Sequence, residues 1–187
     1  MPHPSKISRD LIVQTARAMI EAEGMERLSI NELADALGVK TPSLYRYFEG
    51  GKTGLLRAVN ADTFAGLFRA LEPALTASGT PEDRVLAVAL AYRRYAHDHP
   101  ITYGLAYTNT IPELRPDEAE QERAVLPYQA LMADIAGEAD SLPALRGLLA
   151  LIHGFVMLEL AQQFQRGGDL DAAYVQSVRA YIRGWAR

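Results

Sequence analysis

The chain has 187 residues, 49% hydrophobic and 22% charged, with no cysteine and a formal net charge of −4. This balance excludes a low-complexity disordered chain, and the length can bury a core in one large domain or two small ones. Without cysteine there are no disulfides, thiol nucleophiles or thiolate zinc sites. The charge is uneven. Residues 1–57, counting Lys6, hold eight basic residues against seven acidic ones, and the remainder holds eleven against sixteen; this asymmetry suggests two roles. The most apolar run, Gly147 to Leu158, contains His153 and is shorter than the ~20 residues of a membrane span. No apolar h-region precedes a small-residue cleavage site at the N-terminus. The expectation is a soluble, cytoplasmic protein.

Apolar residues recur at helical spacing, broken by Gly and Pro, with no β-alternation of useful length. The predicted fold class is all-α, with about nine helices: three short ones, then a bundle. Ser8 caps a first helix with Leu11, Ile12, Ala16, Met19 and Ile20 on one stripe, closed by Gly24. Ser29 and Glu32 make a capping box for the second, with Leu28 and Leu33 placed as a hydrophobic staple. Ile30, Leu33, Ala34 and Leu37 share its buried face, and Gly38 stops it. Only Val39 and Lys40 precede a third start, where Thr41 is the expected N-cap and Pro42 the first helical residue. A long helix spans Lys52 to Leu75. Thr80 and Pro81 restart a helix whose seam is Val85, Val88, Tyr92, Tyr95 and His99, ended by Pro100. A short helix, Ile101 to Asn109, leads to a link containing Pro112 and Pro116. Asp117 to Glu138 forms the next helix, with a kink expected at Pro127. The last two run from Pro143 to about Gln165 and from Asp171 to about Trp185, joined by Gly167-Gly168.

Helix, tight glycine turn, helix is the length of a helix-turn-helix, whose second helix enters the major groove with its N-terminal residues at base edges and phosphates. Leu44 and Phe48, four apart, face inward. Thr41, Ser43, Arg46 and Tyr47 are expected outward, with Tyr45 between the faces. Arg46 suits guanine or phosphate, and the hydroxyls suit phosphate oxygens. Lys40 and Lys52 begin successive helices within reach of phosphates, and Ser29 opens a helix whose free N–H groups favour an anion. The shape alone also fits a helical hairpin with a solvated polar face. Two Tyr around Arg46 favour a partner, since exposed aromatics reduce solubility.

Ala16-Arg17 with Gly24, Ser29-Ile30-Asn31-Glu32-Leu33-Ala34, Leu37-Gly38-Val39 and Leu44-Tyr45-Arg46-Tyr47-Phe48, followed by Lys52 and Leu55-Leu56, resemble the DNA-binding domain of TetR-like (TetR/AcrR-type) transcriptional regulators. The family usually places the Lys three residues after the Phe, whereas here the spacing is four. Tyr95 to Pro100 with Tyr103, and His153-Gly154, are similar to the effector domain of a subgroup with a Trp before the His-Gly, although Leu149 and Ala150 occupy that area here. The resemblance implies a DNA-binding helix-turn-helix domain over 1–51 and a ligand-binding and dimerisation domain over 52–187. It implies a homodimer formed through the last two helices. The function expected is a ligand-responsive repressor that binds a palindromic double-stranded operator.

The residues support a partner independently. Leu145, Leu148, Leu149, Leu151, Ile152, Phe155, Val156, Leu158 and Leu160 nearly encircle one helix, which a second chain would cover, unless it is the core helix of a monomer. Tyr92, Tyr95, Tyr103, Tyr107 and Phe155, with His99 or His153 as polar groups, are candidates to line a pocket for a small apolar or aromatic effector. An aromatic at helical spacing is more often core than pocket lining. His97, His99, His153 and Glu159 are the residues to weigh for a metal, but two positions on a helix diverge by ~200°. No nucleophile elbow, dinucleotide fingerprint or P-loop occurs. No metal, cofactor or catalytic residue is therefore expected. The alternative is a helical small-molecule carrier or enzyme without DNA binding.

Overall fold

The structure, a computed structural model, describes residues 7–115 and 117–186. Lys6 and Pro116, used in the reading above, lie outside the described residues. The helices are α1 (Arg9–Glu23), α2 (Ile30–Ala36), α3 (Thr41–Tyr45), α4 (Lys52–Leu75), α5 (Pro81–Asp98), α6 (Pro100–Thr108), α7 (Glu118–Ala136), α8 (Glu138–Leu160) and α9 (Leu170–Trp185), with 3-10 turns at Met25–Arg27 and Pro112–Leu114. Among the described residues there are no strands. The chain forms two compact units: the segment up to Ala65 with His99–Asp117, and Gly66–Asp98 with Glu118 onward. Compactness is a different property from the functional division expected at 51/52.

In the first unit the Ser8 hydroxyl accepts from the Leu11 N–H (3.1 Å) and Ser29 from the Glu32 N–H (3.4 Å), satisfying donors that a helix start leaves free. α2 ends in a Schellman motif. Gly38, at φ +66°, donates to the Asp35 carbonyl, and Val39 donates to Ala34. Ile12, Ala16 and Ile20 of α1 share one core with Leu33, Leu44, Phe48, Leu55 and Val59. Leu114 joins that core from the far end of the His99–Asp117 segment. The Arg17 guanidinium pairs with Asp62 of α4 at 3.1 Å.

In the second unit α5, α7, α8 and α9 bury Val85, Val88 and Tyr92, Leu131 and Met132, Leu148, Ile152 and Val156, and Tyr174 and Val178. Two glycines permit close approach. A Cβ on Gly66 would collide with the Tyr95 hydroxyl, and one on Gly147 with the hydroxyl of Tyr181, which donates to the Ala144 carbonyl at 2.8 Å. The expected break near Pro143 falls at Gly137, whose φ of +83° turns α7 into α8 in one residue. Glu138 and Asp140 then suit the first turn of α8, which absorbs Pro143. α8 ends at Leu160, five residues earlier than expected, in a second Schellman motif: Gln162 stands at φ +54°, Gln162 donates to Glu159 and Gln163 to Leu158. At 23 residues, α8 is long and apolar enough to cross a membrane by length and composition, unlike the shorter run singled out above. His99 leaves the predicted α5 seam. α5 ends at Asp98 and His99 becomes the N-cap of α6, because Pro100 fits the first turn of the next helix.

An ionic knot ties α5, α8 and α9. Arg93 makes two bonds to Glu159 (2.8 and 2.6 Å) and one to Asp171 (2.7 Å), while His97 Nε2 lies 3.2 Å from Glu159. The Glu159 side chain is 5% exposed. Burial raises the pKa of its carboxyl, but the hydrogen bonds and charges of Arg93 and His97 outweigh this and hold it below the usual value. The bond to Glu159 raises that of Arg93. We expect Arg93→Ala to reduce the unfolding free energy by about 2–3 kcal/mol in urea titration near neutral pH. A carboxylate with a depressed folded pKa contributes fully above its unfolded pKa and loses the contribution as pH falls through the folded one. The difference between wild type and Arg93→Ala should therefore shrink as the solution is acidified below about pH 4.

Candidate nucleic-acid interface

Leu44 and Phe48 are 3% and 5% exposed, as their spacing requires. The hydrogen-bonded helix that carries Leu44 is short: Thr41–Tyr45, with Lys40 as N-cap, Pro42 in the first turn, Arg46 and Tyr47 in the turn that follows, and Phe48 just after it. Lys40, Tyr45 and Arg46 are exposed, Thr41 and Ser43 half-buried. Tyr45, at 52% exposure, is the outward aromatic. Tyr47 is not. Its ring packs on the core and its hydroxyl donates to the Ile7 carbonyl at 2.9 Å. On a helix the two tyrosines flank the midpoint of the Leu44–Phe48 face, ~80° to either side, so spacing does not decide between them; the segment ahead of α1 does.

The Thr41 hydroxyl donates to Asn31 Oδ1 at 2.9 Å, tying the start of α3 to α2. Lys52 donates to the Leu28 carbonyl at 2.7 Å, just ahead of the Ser29 cap. An ammonium has three donors, so this bond leaves two for another acceptor. The additional residue before Lys52 is absorbed by two consecutive glycines in the left-handed region, Gly50 (φ +82°) and Gly51 (φ +62°), with the Tyr45 ring against Gly51. A Cβ on Gly54 would collide with the Glu49 carbonyl. The Arg9 guanidinium lies 5.4 Å over the Phe48 ring.

The candidate effector residues divide between the units. In the second, Tyr92 and His153 are joined (hydroxyl to Nδ1, 3.3 Å), and burial lowers the His153 pKa. Phe155 packs on Tyr174 (5.1 Å) and on Phe164 (4.8 Å), and Tyr95 lies on Gly66. In the first, Tyr103 is fully buried and stacks on Tyr107 at 4.8 Å, which stacks on Phe64 at 6.2 Å, while His99 lines an open groove along α1. His97 Nε2 lies 3.2 Å from Glu159 Oε2, and among the described residues no three His, Asp or Glu are grouped to hold a metal.

Residues 12–59 match the family of bacterial regulatory proteins described as tetR, and residues 85–181 match the tetracyclin repressor-like C-terminal domain. An uncharacterized HTH-type transcriptional regulator of Mycobacterium tuberculosis is 34% identical across 98% of this chain and 84% of its own length. The chain belongs to the TetR family. It is a DNA-binding transcriptional regulator, and the all-α arrangement is the TetR fold. A Rhodococcus protein of unknown function is superimposable with a TM-score of 0.81 at 23% identity, over 100% of this chain and 98% of its own. A substituted TetR of Acinetobacter baumannii, solved in complex with minocycline, gives 0.69 at 20% identity, over 96% of each. Within the TetR frame, sequence reasoning missed Asn31 as the partner of Thr41 and the anchoring bonds of Tyr47 and Lys52. An Asn in the first turn of α2 was the available signal for the first; nothing local signals the others. Gly54→Ala should destabilise the protein by about 1–3 kcal/mol, read as a lowered Tm.

Proposed function

We propose that this TetR-family chain is a ligand-responsive repressor acting in the cytoplasm as a homodimer on a palindromic operator. The observation that carries the reading is that Lys40, Tyr45 and Arg46 are exposed along a short helix and its two caps, while Leu44 within it and Phe48 just after it are locked in the core. Residues 1–51 read DNA and 52–187 bind effector and partner. Arg46, Ser43, Thr41 and Lys40 meet bases or phosphates, Tyr45 lies against the duplex, and the start of α2 at Ser29 and the spare donors of Lys52 meet phosphates. Tyr47 contributes by holding α3 in place. The partner is a second copy, set against α8 and α9, where Leu142 and Leu149 stand exposed two turns apart. A small apolar or aromatic effector meets Tyr92, Tyr95, His153 and Phe155, with His99, Tyr103 and Tyr107 the corresponding group in the first unit. The His153-Gly154 likeness to the Trp-containing subgroup belongs to this proposal. An effector with higher affinity for one state displaces the equilibrium between DNA-competent and incompetent forms.

Random-sequence duplex selection followed by fluorescence anisotropy tests the reading. Arg46→Ala should weaken binding to the selected duplex about tenfold and flatten its salt dependence with no change in Tm. Salt-insensitive binding, or none, would favour the carrier reading. Leu149→Arg should convert the dimer to monomer in analytical ultracentrifugation; an unaltered sedimentation coefficient would remove this face from the interface.

A further inference from the structure

Glu21 lies in the last turn of α1, where the helix dipole disfavours a carboxylate. Its partner explains it. Oε1 accepts from the Ile101 N–H at 2.9 Å, and Oε2 accepts from the Thr102 N–H at 2.9 Å and the Thr102 hydroxyl at 2.7 Å. These are the first two N–H groups of α6 after Pro100, which has none. The helix's own N-cap, His99, makes no side-chain capping bond. A carboxylate from 80 residues earlier thus caps α6, and Thr102 beside it is fully buried.

The capped segment is unusual in its connections. His99–Asp117 packs within the first unit, yet the residues on both its flanks, Asp98 and Glu118, belong to the second. It also lies wholly inside the stretch that matches the C-terminal domain of the family. Its far end is held by Arg57, donating to the Glu113 carbonyl at 2.8 Å, and by Asn60, donating to Leu114 at 2.9 Å. The Glu21 joint is half-exposed and borders the groove lined by Gln14, Arg17, Ala18, Ala22 and His99, so water can replace α6 there without stranding a buried charge. α1 places Ile12, Ala16 and Ile20 in the same core as Leu44 of α3 and Phe48, three residues past its end.

We propose that Glu21 is a releasable latch: its carboxylate holds the first turn of α6 to α1, and through α1 links the order of that turn to DNA binding by α3. The inference rests on the DNA-binding reading of α3. Linkage is reciprocal, so binding at α3 tightens the latch and loss of the latch weakens binding.

The test uses the full chain and the duplex selected with wild type. Wild-type affinity for that duplex judges the DNA-binding reading by itself; hydrogen exchange at the Ile101 and Thr102 amides judges the latch. DNA should slow both amides in wild type. Glu21→Gln should abolish that protection and bind the duplex at least about fivefold more weakly. Thr102→Val, which keeps the buried shape and removes one of the three bonds, should fall between, and decides the matter if Glu21→Gln does not fold. Wild type that binds DNA with both amides unchanged overturns the latch, as does a folded Glu21→Gln with wild-type affinity.

Discussion

A five-residue helix has no stability of its own, because nucleation fixes several dihedrals before hydrogen bonds compensate. α3 is such a helix. What keeps it in place is the insertion of Leu44 and Phe48 against Ile12, Ala16 and Ile20 of α1 and Leu33 of α2. The exposed side chains of α3 and of the turn after it therefore depend on an apolar contact on the face turned to the core. The polar ties at its edge, Thr41 to Asn31, Tyr47 to Ile7 and Lys52 to Leu28, set orientation on a helix that packing has already made.

The second unit combines the same means in other proportions. Its buried lines on α5, α8 and α9 supply the driving force, and the Arg93–Glu159–Asp171 knot adds direction. The Tyr174 hydroxyl, fully buried, donates to the Ala89 carbonyl at 2.7 Å while Arg93 lies 5.0 Å over its ring. One side chain thus fixes both the spacing of α5 and α9 and the position of the cation above it.

How legible each feature was in the sequence follows the range of the interaction behind it. The caps at Ser8 and Ser29, the stop at Gly38 and both ends of α4 follow from residues within a turn of one another, and they stand where the pattern puts them. The two Schellman motifs show where this runs out. The one at Gly38 was marked by glycine, whereas the one at Gln162 places a residue with a Cβ in the left-handed region, and no composition rule points to it. Pro143 was taken as a boundary because proline often is one, yet Gly137 supplied the turn. In the turn after α3 the outward reading holds for Arg46, which is exposed, and fails for Tyr47, since the segment that covers Tyr47 is 40 residues away.

Leu114 has a consequence for synthesis. It completes the core that steadies α3, and Asn60 and Arg57 wait for carbonyls at 113 and 114. A chain leaving the ribosome has exposed all of α1 to α4 long before those atoms emerge. The helix-turn-helix is local in sequence, but its unit closes only after about thirty residues of the other unit, Gly66 to Asp98, have been made. Such non-local closure slows folding relative to a self-contained three-helix module. A fragment cut near Ala65 would display the reading helix over an unfinished core.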